Sequence, residues 1–318
     1  EDGFLNYFME GDDEILTPRV APHDNILYGM FLDAMWQPER AQGIYENMRD
    51  FGEMIDTDGL TIELARDDGQ SSIPRVQSHI NSRFGIFLNN MYAEQKADKI
   101  YDALNERGLV REDNLIGACT DFDGRAAIES ISPLGNTWYG IFLTSIGRED
   151  EARRIYRSMQ NTLMDRSGLV MACRGSMPGD LARFRSYHNL SYGLFLTTIK
   201  KHDEARSINN LLETHGYVGD EGLIRENNLT PTEKQDIYTE TNILYGIVLH
   251  AIGEHERANT IYPTLREIGV IRPDGLAIES NGIEDRRTRA KCNTMLGILL
   301  SGEYEVLTGY PQREKNIP

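Results

Sequence analysis

Two kinds of apolar pattern alternate along this chain. Six segments are apolar nearly all round and share one string, Asn-x-x-(aromatic or Leu)-Gly-(apolar)-(apolar)-Leu, beginning at Asn25, Asn81, Asn136, Asn189, Asn242 and Asn293. Asn, aromatic, Gly and Leu fall at i, i+3, i+4 and i+7, one helical face, while the opposite face carries further Ile, Leu, Phe and Met. Such a helix is buried. A mid-helix glycine costs about 1 kcal/mol against alanine, so its recurrence predicts a close approach of neighbouring helices. The second kind of segment has a single apolar stripe with charges elsewhere, as in Ala41…Ile44-Tyr45, Ala97…Ile100-Tyr101, Ala152…Ile155-Tyr156, Ala205…Ile208 and Ala258…Ile261-Tyr262. That pattern predicts an amphipathic outer helix.

The repeat Asn positions are 56, 55, 53, 53 and 51 residues apart. A fixed period of this length means a helical-hairpin array. Each outer helix leads into a long connection opening on a tight turn: Asp58-Gly59-Leu60, Asp113-Asn114-Leu115, Ser167-Gly168-Leu169, Glu221-Gly222-Leu223 and Asp274-Gly275-Leu276. The chain begins with such a connection and ends with Gly302…Tyr310, which reads as a shortened outer helix. The expectation is an all-α (α/α)6 toroid over residues 1–318, one domain of six hairpins closed into a ring by the C-terminal segment. An open solenoid would leave one side of the apolar inner row exposed.

In that ring the long connections gather at the N-terminal ends of the inner helices, so a site belongs there. The residues at those ends include His23, His79, Tyr187, His188, Glu240 and Cys292. The repeat Asn itself reads as an inherited N-cap. Further candidates in or beside the connections are Cys119, Asp121, Asp123, Cys173, Glu226 and Tyr238, with Trp138 inside the third inner segment.

Composition narrows the partners. The net charge of −17, from 33 basic and 50 acidic residues, repels phosphate backbones and anionic lipid, so neither nucleic acid nor a membrane surface is expected. No apolar run approaches the ~18 residues needed to span a bilayer. Three well-separated cysteines and no His-x-His or His-Glu-x-x-His string predict neither a disulfide scaffold nor a metal site. No phosphate-binding loop is present, so no nucleotide cofactor is expected. The compartment is left open: the first residues lack a signal-peptide layout, and a mature secreted or periplasmic form fits the abrupt start. A homo-oligomer is compatible with all of this.

The stretch Ser78-His79-Ile80-Asn81-Ser82-Arg83-Phe84-Gly85-Ile86-Phe87, the following Gly117-Ala118-Cys119 and the later Arg225-Glu226 resemble segments of the linalool dehydratase-isomerase family, an α/α-barrel of six hairpins. The resemblance implies that His79 is the acid/base and Cys119 an active-site thiol. The family's second cysteine position is Gly135 here, which implies altered chemistry. Its functional expectation is cofactor-independent dehydration or isomerisation of a small apolar alcohol such as a terpenol. Asp121, Asp123 or Glu240 would partner His79, and His23, Trp138, Cys173, Tyr187, His188, Glu226 and Tyr238 would line the pocket. Two other readings stand beside it. A carbohydrate-active α/α-barrel would use paired carboxylates from Asp123, Glu226 and Glu240 with Trp138, Tyr187 and Tyr238 as platforms. A noncatalytic binding toroid would need the repeats alone.

Overall fold

A computed structural model describes residues 6–9, 17–50, 54–62, 64–66, 71–73, 76–119, 131–171, 184–226, 237–280 and 288–309. Among the described residues, six inner helices alternate with five outer ones. The inner row is α1 (Pro22–Ala34), α3 (Ser78–Asn90), α5 (Pro133–Ser145), α7 (Ser186–Thr198), α9 (Thr239–Ala251) and α11 (Ala290–Ser301). The outer row is α2 (Pro38–Asp50), α4 (Glu94–Glu106), α6 (Glu149–Thr162), α8 (His202–Thr214) and α10 (His255–Glu267). In α5, buried residues run without a break from Gly135 to Leu143, whereas α6 buries only Ala152, Ile155, Tyr156 and Met159. The all-round and one-stripe patterns thus become an inner and an outer layer.

The glycines explain the closure. A Cβ on Gly140 would lie 2.5 Å from the Phe195 ring, and one on Gly297 would lie 2.7 Å from Phe31. Each inner glycine is a socket for the side chain six residues after the repeat Asn of the next inner helix. The last socket, on α11, takes Phe31 of α1, so the seam repeats the packing of every other junction. Burying a phenylalanine contributes about 1.5–3 kcal/mol, enough to offset the glycine's helix cost.

The repeat Asn is structural, but it is not an N-cap. The caps are Ala21, Gln77, Ser132, Arg185 and Tyr238, four residues earlier. From one turn inside the helix, Asn136 accepts from Ile116 N (2.8 Å) and donates to Ile116 O (3.0 Å) and Ser132 O (2.9 Å). Asn81, Asn189 and Asn242 clamp Thr61, Val170 and Ile224 in the same way, and Asn293 clamps Ala277. Each clamp ties the tight turn of a connection to the start of its inner helix.

Two features depart from the sequence reading. Short strands in the connections form an antiparallel sheet of order β4-β3-β2-β1-β5, with β1 Asn6–Met9, β2 Thr17–Val20, β3 Leu64–Arg66, β4 Ser71–Ile73 and β5 Thr288–Arg289. It bridges the seam, because β1 pairs both with β2 before α1 and with β5 before α11. The final segment is no outer helix either. A 3-10 turn at Tyr304–Leu307 runs beneath the ring: Asn90 donates to Val306 O (2.8 Å), Tyr304 stacks on His250 of α9, and Gly309 abuts Ser145 of α5.

Candidate active site

The residues two before each repeat Asn are His23, His79, Leu134, Tyr187, Glu240 and Lys291. One turn further on, two after the Asn and therefore on the same helical face, stand Leu27, Arg83, Trp138, Ser191, Leu244 and Met295. These two tiers meet at the upper, N-terminal end of the inner row. Arg83 is the hub. Its Nη1 contacts His23 Nε2, its Nη2 donates to Tyr187 Oη (2.8 Å), and its guanidinium lies 3.9 Å from the Trp138 ring centroid. Arg83 is only 2% exposed, so its charge is fixed in place by three partners from α1, α5 and α7.

Opposite it, Lys291 Nζ pairs with Glu240 Oε2 at 2.6 Å and lies 5.8 Å from the Tyr187 ring. Burial alone would raise the Glu240 pKa, but Lys291, Tyr187 and Arg83 outweigh it and hold the carboxyl below its usual value. Glu240 in turn raises Lys291 despite burial. The pair stays ionised.

The imidazoles do the reverse. Burial, then Arg83, Lys291 and His188, pushes His79 down to about 3. Burial and Arg185 push His188 down to about 4. Burial, with Arg83 next, lowers His23 well below the ordinary imidazole value. All three are neutral bases at physiological pH. Because the Arg83 guanidinium only donates, His23 Nε2 accepts, which places the His23 proton on Nδ1, 3.9 Å from Asp24 Oδ1. The His23 and His79 rings meet edge to face with centroids 6.0 Å apart. His188 Nδ1 is buried and makes no hydrogen bond within the described residues.

Neighbouring connections complete the rim. Ser186 N, at the start of α7, donates to Glu226 O (3.1 Å), and Thr241 Oγ1 contacts Glu226 Oε2 (3.3 Å). Burial raises the Glu226 pKa against the lowering pull of Arg185 and Thr241. Cys119 pairs through its backbone with Gln77, two residues before His79, and is partly exposed. Tyr238 is 36% exposed and bridges to Ser280.

Several expectations need correction. Trp138 is 1% exposed and its ring supports a guanidinium, so it is not a platform for substrate. Glu240 is held by Lys291 instead of serving His79 as a proton-transfer partner. Asp121, Asp123 and Cys173 lie outside the described residues. Arg83 and Lys291 were missed, although Arg83 breaks its tier: the other positions equivalent to it are Leu, Trp, Ser, Leu and Met, none of them charged.

No protein-family model matches the chain, and no curated protein matches it in sequence. Solved structures do match. A D-mannose isomerase superposes with a TM-score of 0.78 at 13% identity, over 96% of this chain and 91% of that one. A cellobiose 2-epimerase from Bacillus thermoamylovorans gives 0.78 at 12%, over 95% and 93%. An α-mannanase of glycoside hydrolase family 76 from Bacteroides thetaiotaomicron gives 0.62 at 13%, over 89% and 86%. The chain has the fold of these sugar-converting α/α barrels.

The resemblance to linalool dehydratase-isomerase is overturned by these matches, and with it the terpenol reading. The shared strings are scaffold signals: Asn81 is a loop clamp repeated around the ring, and Gly85 is a socket for Phe142. A rim of Arg83, Glu240, Lys291 and three imidazoles also presents polar groups where an apolar alcohol needs a greasy wall.

Proposed function

We propose that the upper rim is the active site of a cofactor-independent sugar isomerase or epimerase. The observation that carries this reading is the grouping of neutral imidazoles around one immobile guanidinium. Moving a proton at the carbon beside a sugar carbonyl needs a base at that carbon, and it needs a fixed positive charge where the carbonyl oxygen becomes an enediolate. A neutral imidazole, His79 or His188, takes the C2 proton while Arg83 stabilises the oxygen. The imidazolium so formed is a strong acid, because its burial disfavours charge, and it returns the proton readily. Return to C1, with the C2 hydroxyl proton passing to O1, gives an isomer, and inversion at C2 gives an epimer when the second imidazole delivers a proton to the opposite face. Lys291, Glu240 and Tyr187 shape the floor and offer hydrogen bonds to hydroxyls.

The D-mannose isomerase and the cellobiose 2-epimerase, both superposing at a TM-score of 0.78 against 0.62 for the α-mannanase, support this class over the mannanase's. Glycoside hydrolysis uses two carboxyls about 5–9.5 Å apart, and Glu240 is already committed to Lys291. The test is incubation with mannose, fructose, glucose and cellobiose in D2O. The expected result is deuterium at C2 or C1 of the sugar with no cleavage of the disaccharide. Release of glucose from cellobiose without exchange would favour the hydrolase instead.

A further inference from the structure

The leucine seven residues after the repeat Asn recurs in every inner helix, and five of its six copies are sealed: Leu32, Leu88, Leu143, Leu196 and Leu249 are 0–2% exposed. Leu300, the sixth, is 57% exposed. The change follows one face of α11. Asn293, Gly297 and Leu300 stand at i, i+4 and i+7, and each is more open than its five buried counterparts. Across the seam, Tyr28 and Phe31 of α1 are partly exposed, whereas Tyr139, Phe142, Tyr192, Phe195 and Tyr245 are at 0–1%. In the other five hairpins an outer helix packs on the inner one. After α11 the chain enters the 3-10 turn beneath the ring, so the outside of α11 and the flank of α1 stay open between α10 and α2.

The five seated outer helices specify what fits this face. In α6 the buried stripe is Ala152, Ile155, Tyr156 and Met159, at i, i+3, i+4 and i+7, the spacing of a helix laid in a groove. The stripe tyrosine also reaches the first turn of the next outer helix. The Tyr45 ring centroid lies 4.0 Å from Lys96 Nζ, that of Tyr101 lies 3.7 Å from the Arg148 guanidinium, and that of Tyr156 lies 4.5 Å from Lys201 Nζ. Arg40 of α2 holds the position of Lys96. It donates to Tyr28 Oη at 3.1 Å and is exposed, while Lys96, Glu151, Glu204 and Arg257 at the same position are partly buried. At the other edge, Tyr262 of α10 holds the place from which Tyr101 and Tyr156 donate to Glu151 and Glu204 at 2.9 and 2.6 Å. The open face thus has a cation on one side, a phenol on the other and an apolar floor between.

We infer that this seam face is an interaction surface for one amphipathic helix of a partner polypeptide. The helix carries an Ala-x-x-Ile-Tyr-x-x-(Leu or Met) stripe, with a carboxylate in its first turn to meet Tyr262 and its tyrosine set over Arg40. Bound there, it covers Leu300 and completes the outer row. A second copy of this chain does not fit, because its five outer helices are seated in their own hairpins. A footprint of about 20 Å by 10 Å is also far below the ~800 Å2 a side of a stable interface between globular surfaces. The inference is independent of the chemistry assigned to the upper rim.

The probe is a fluorescein-labelled peptide with the α6 sequence, residues 148–163, titrated with the whole chain at about 0.15 M salt and followed by anisotropy. Saturable binding is expected. Leu300→Asp should weaken it by about tenfold or more, because the leucine is the apolar anchor of the face. Tyr156→Ala in the peptide should weaken it several-fold, through loss of the contact with Arg40. Tyr92→Asp, which removes an exposed ring from the α3–α4 turn, should bind as the parent does. Both protein changes are at exposed positions, and circular dichroism verifies folding. No saturable binding, equal binding by a peptide of the same composition with the stripe scrambled, or an unchanged affinity in Leu300→Asp would overturn the surface. Dimerisation of the chain alone by sedimentation, abolished by Leu300→Asp, would overturn the choice of occupant.

Discussion

Arg83 shows how a single side chain can organise a site. A buried guanidinium is costly to desolvate, and here an imidazole, a phenol and an indole face divide the compensation. Lysine keeps the charge but loses the planar fork and the stack. Arg83→Lys should therefore lower kcat by roughly 10²–10³ with a smaller effect on KM, since the lost contact is to charge that develops only in the transition state. Steady-state kinetics on whichever sugar exchanges deuterium would measure it, and unchanged turnover would remove Arg83 from the mechanism. The imidazoles His23, His79 and His188 were legible in the sequence because they precede a repeated Asn. Arg83 was not, because a lone charge inside an apolar segment cannot be told from a surface position until the ring shows which face looks inward, and Lys291 was not, because it follows Arg286-Arg287-Thr288-Arg289 and reads as one more charge of a basic run. Trp138 was misread for the same reason. Sequence placed it correctly on an inner helix, but whether an aromatic ring meets substrate or a neighbouring guanidinium is set by contacts between helices more than 50 residues apart.

At the scale of elements, the repeat is a pair of devices, an Asn clamp and a glycine socket, and both can be tested. Asn136→Ala would leave Ile116 N and O buried and unpaired, at a cost of about 2–4 kcal/mol by urea denaturation. The glycines should not behave alike. At Gly140 a methyl group would drive into the Phe195 ring, so Gly140→Ala should destabilise by about 1–3 kcal/mol, and Phe195→Leu should recover part of the loss. At Gly193 the nearest atom, Val248 Cγ1, is 3.5 Å away, an ordinary contact, so Gly193→Ala should be neutral or stabilising by up to about 1 kcal/mol. Equal destabilisation at both would mean that the glycines serve something other than helix approach. Periodicity revealed the glycines and predicted the ring. It did not reveal the rim sheet, whose two- to four-residue strands come from the connections before α1, α3 and α11 and carry no alternating pattern. Nor did it reveal that the last segment runs under the mouth, since a short amphipathic piece fits either place.

For the molecule as a whole, closure concentrates neutral imidazoles and permanent cations at one hub, and this gives folding a pH dependence. His23, His79 and His188 all have folded-state pKa values below the ordinary 6.5, two of them at about 3 and 4. The unfolded chain therefore binds more protons than the folded one once the pH drops below about 6.5, and stability falls with pH from there towards those values. Above 6.5 this contribution is fully present. Glu226, raised by burial, acts in the opposite direction by taking up a proton more readily when folded, but it is one group against three. Glu240, held low by Lys291, adds to the loss below its ordinary value of 4.5. The urea midpoint should accordingly be level from pH 8 to pH 7 and fall clearly by pH 5. His79→Gln, which cannot take a proton, should flatten that slope while leaving a folded chain at pH 7. A midpoint independent of pH between 7 and 5 would mean that the three rings are not held neutral together at the centre of the ring, and the proton shuttle proposed for them would lose its physical basis.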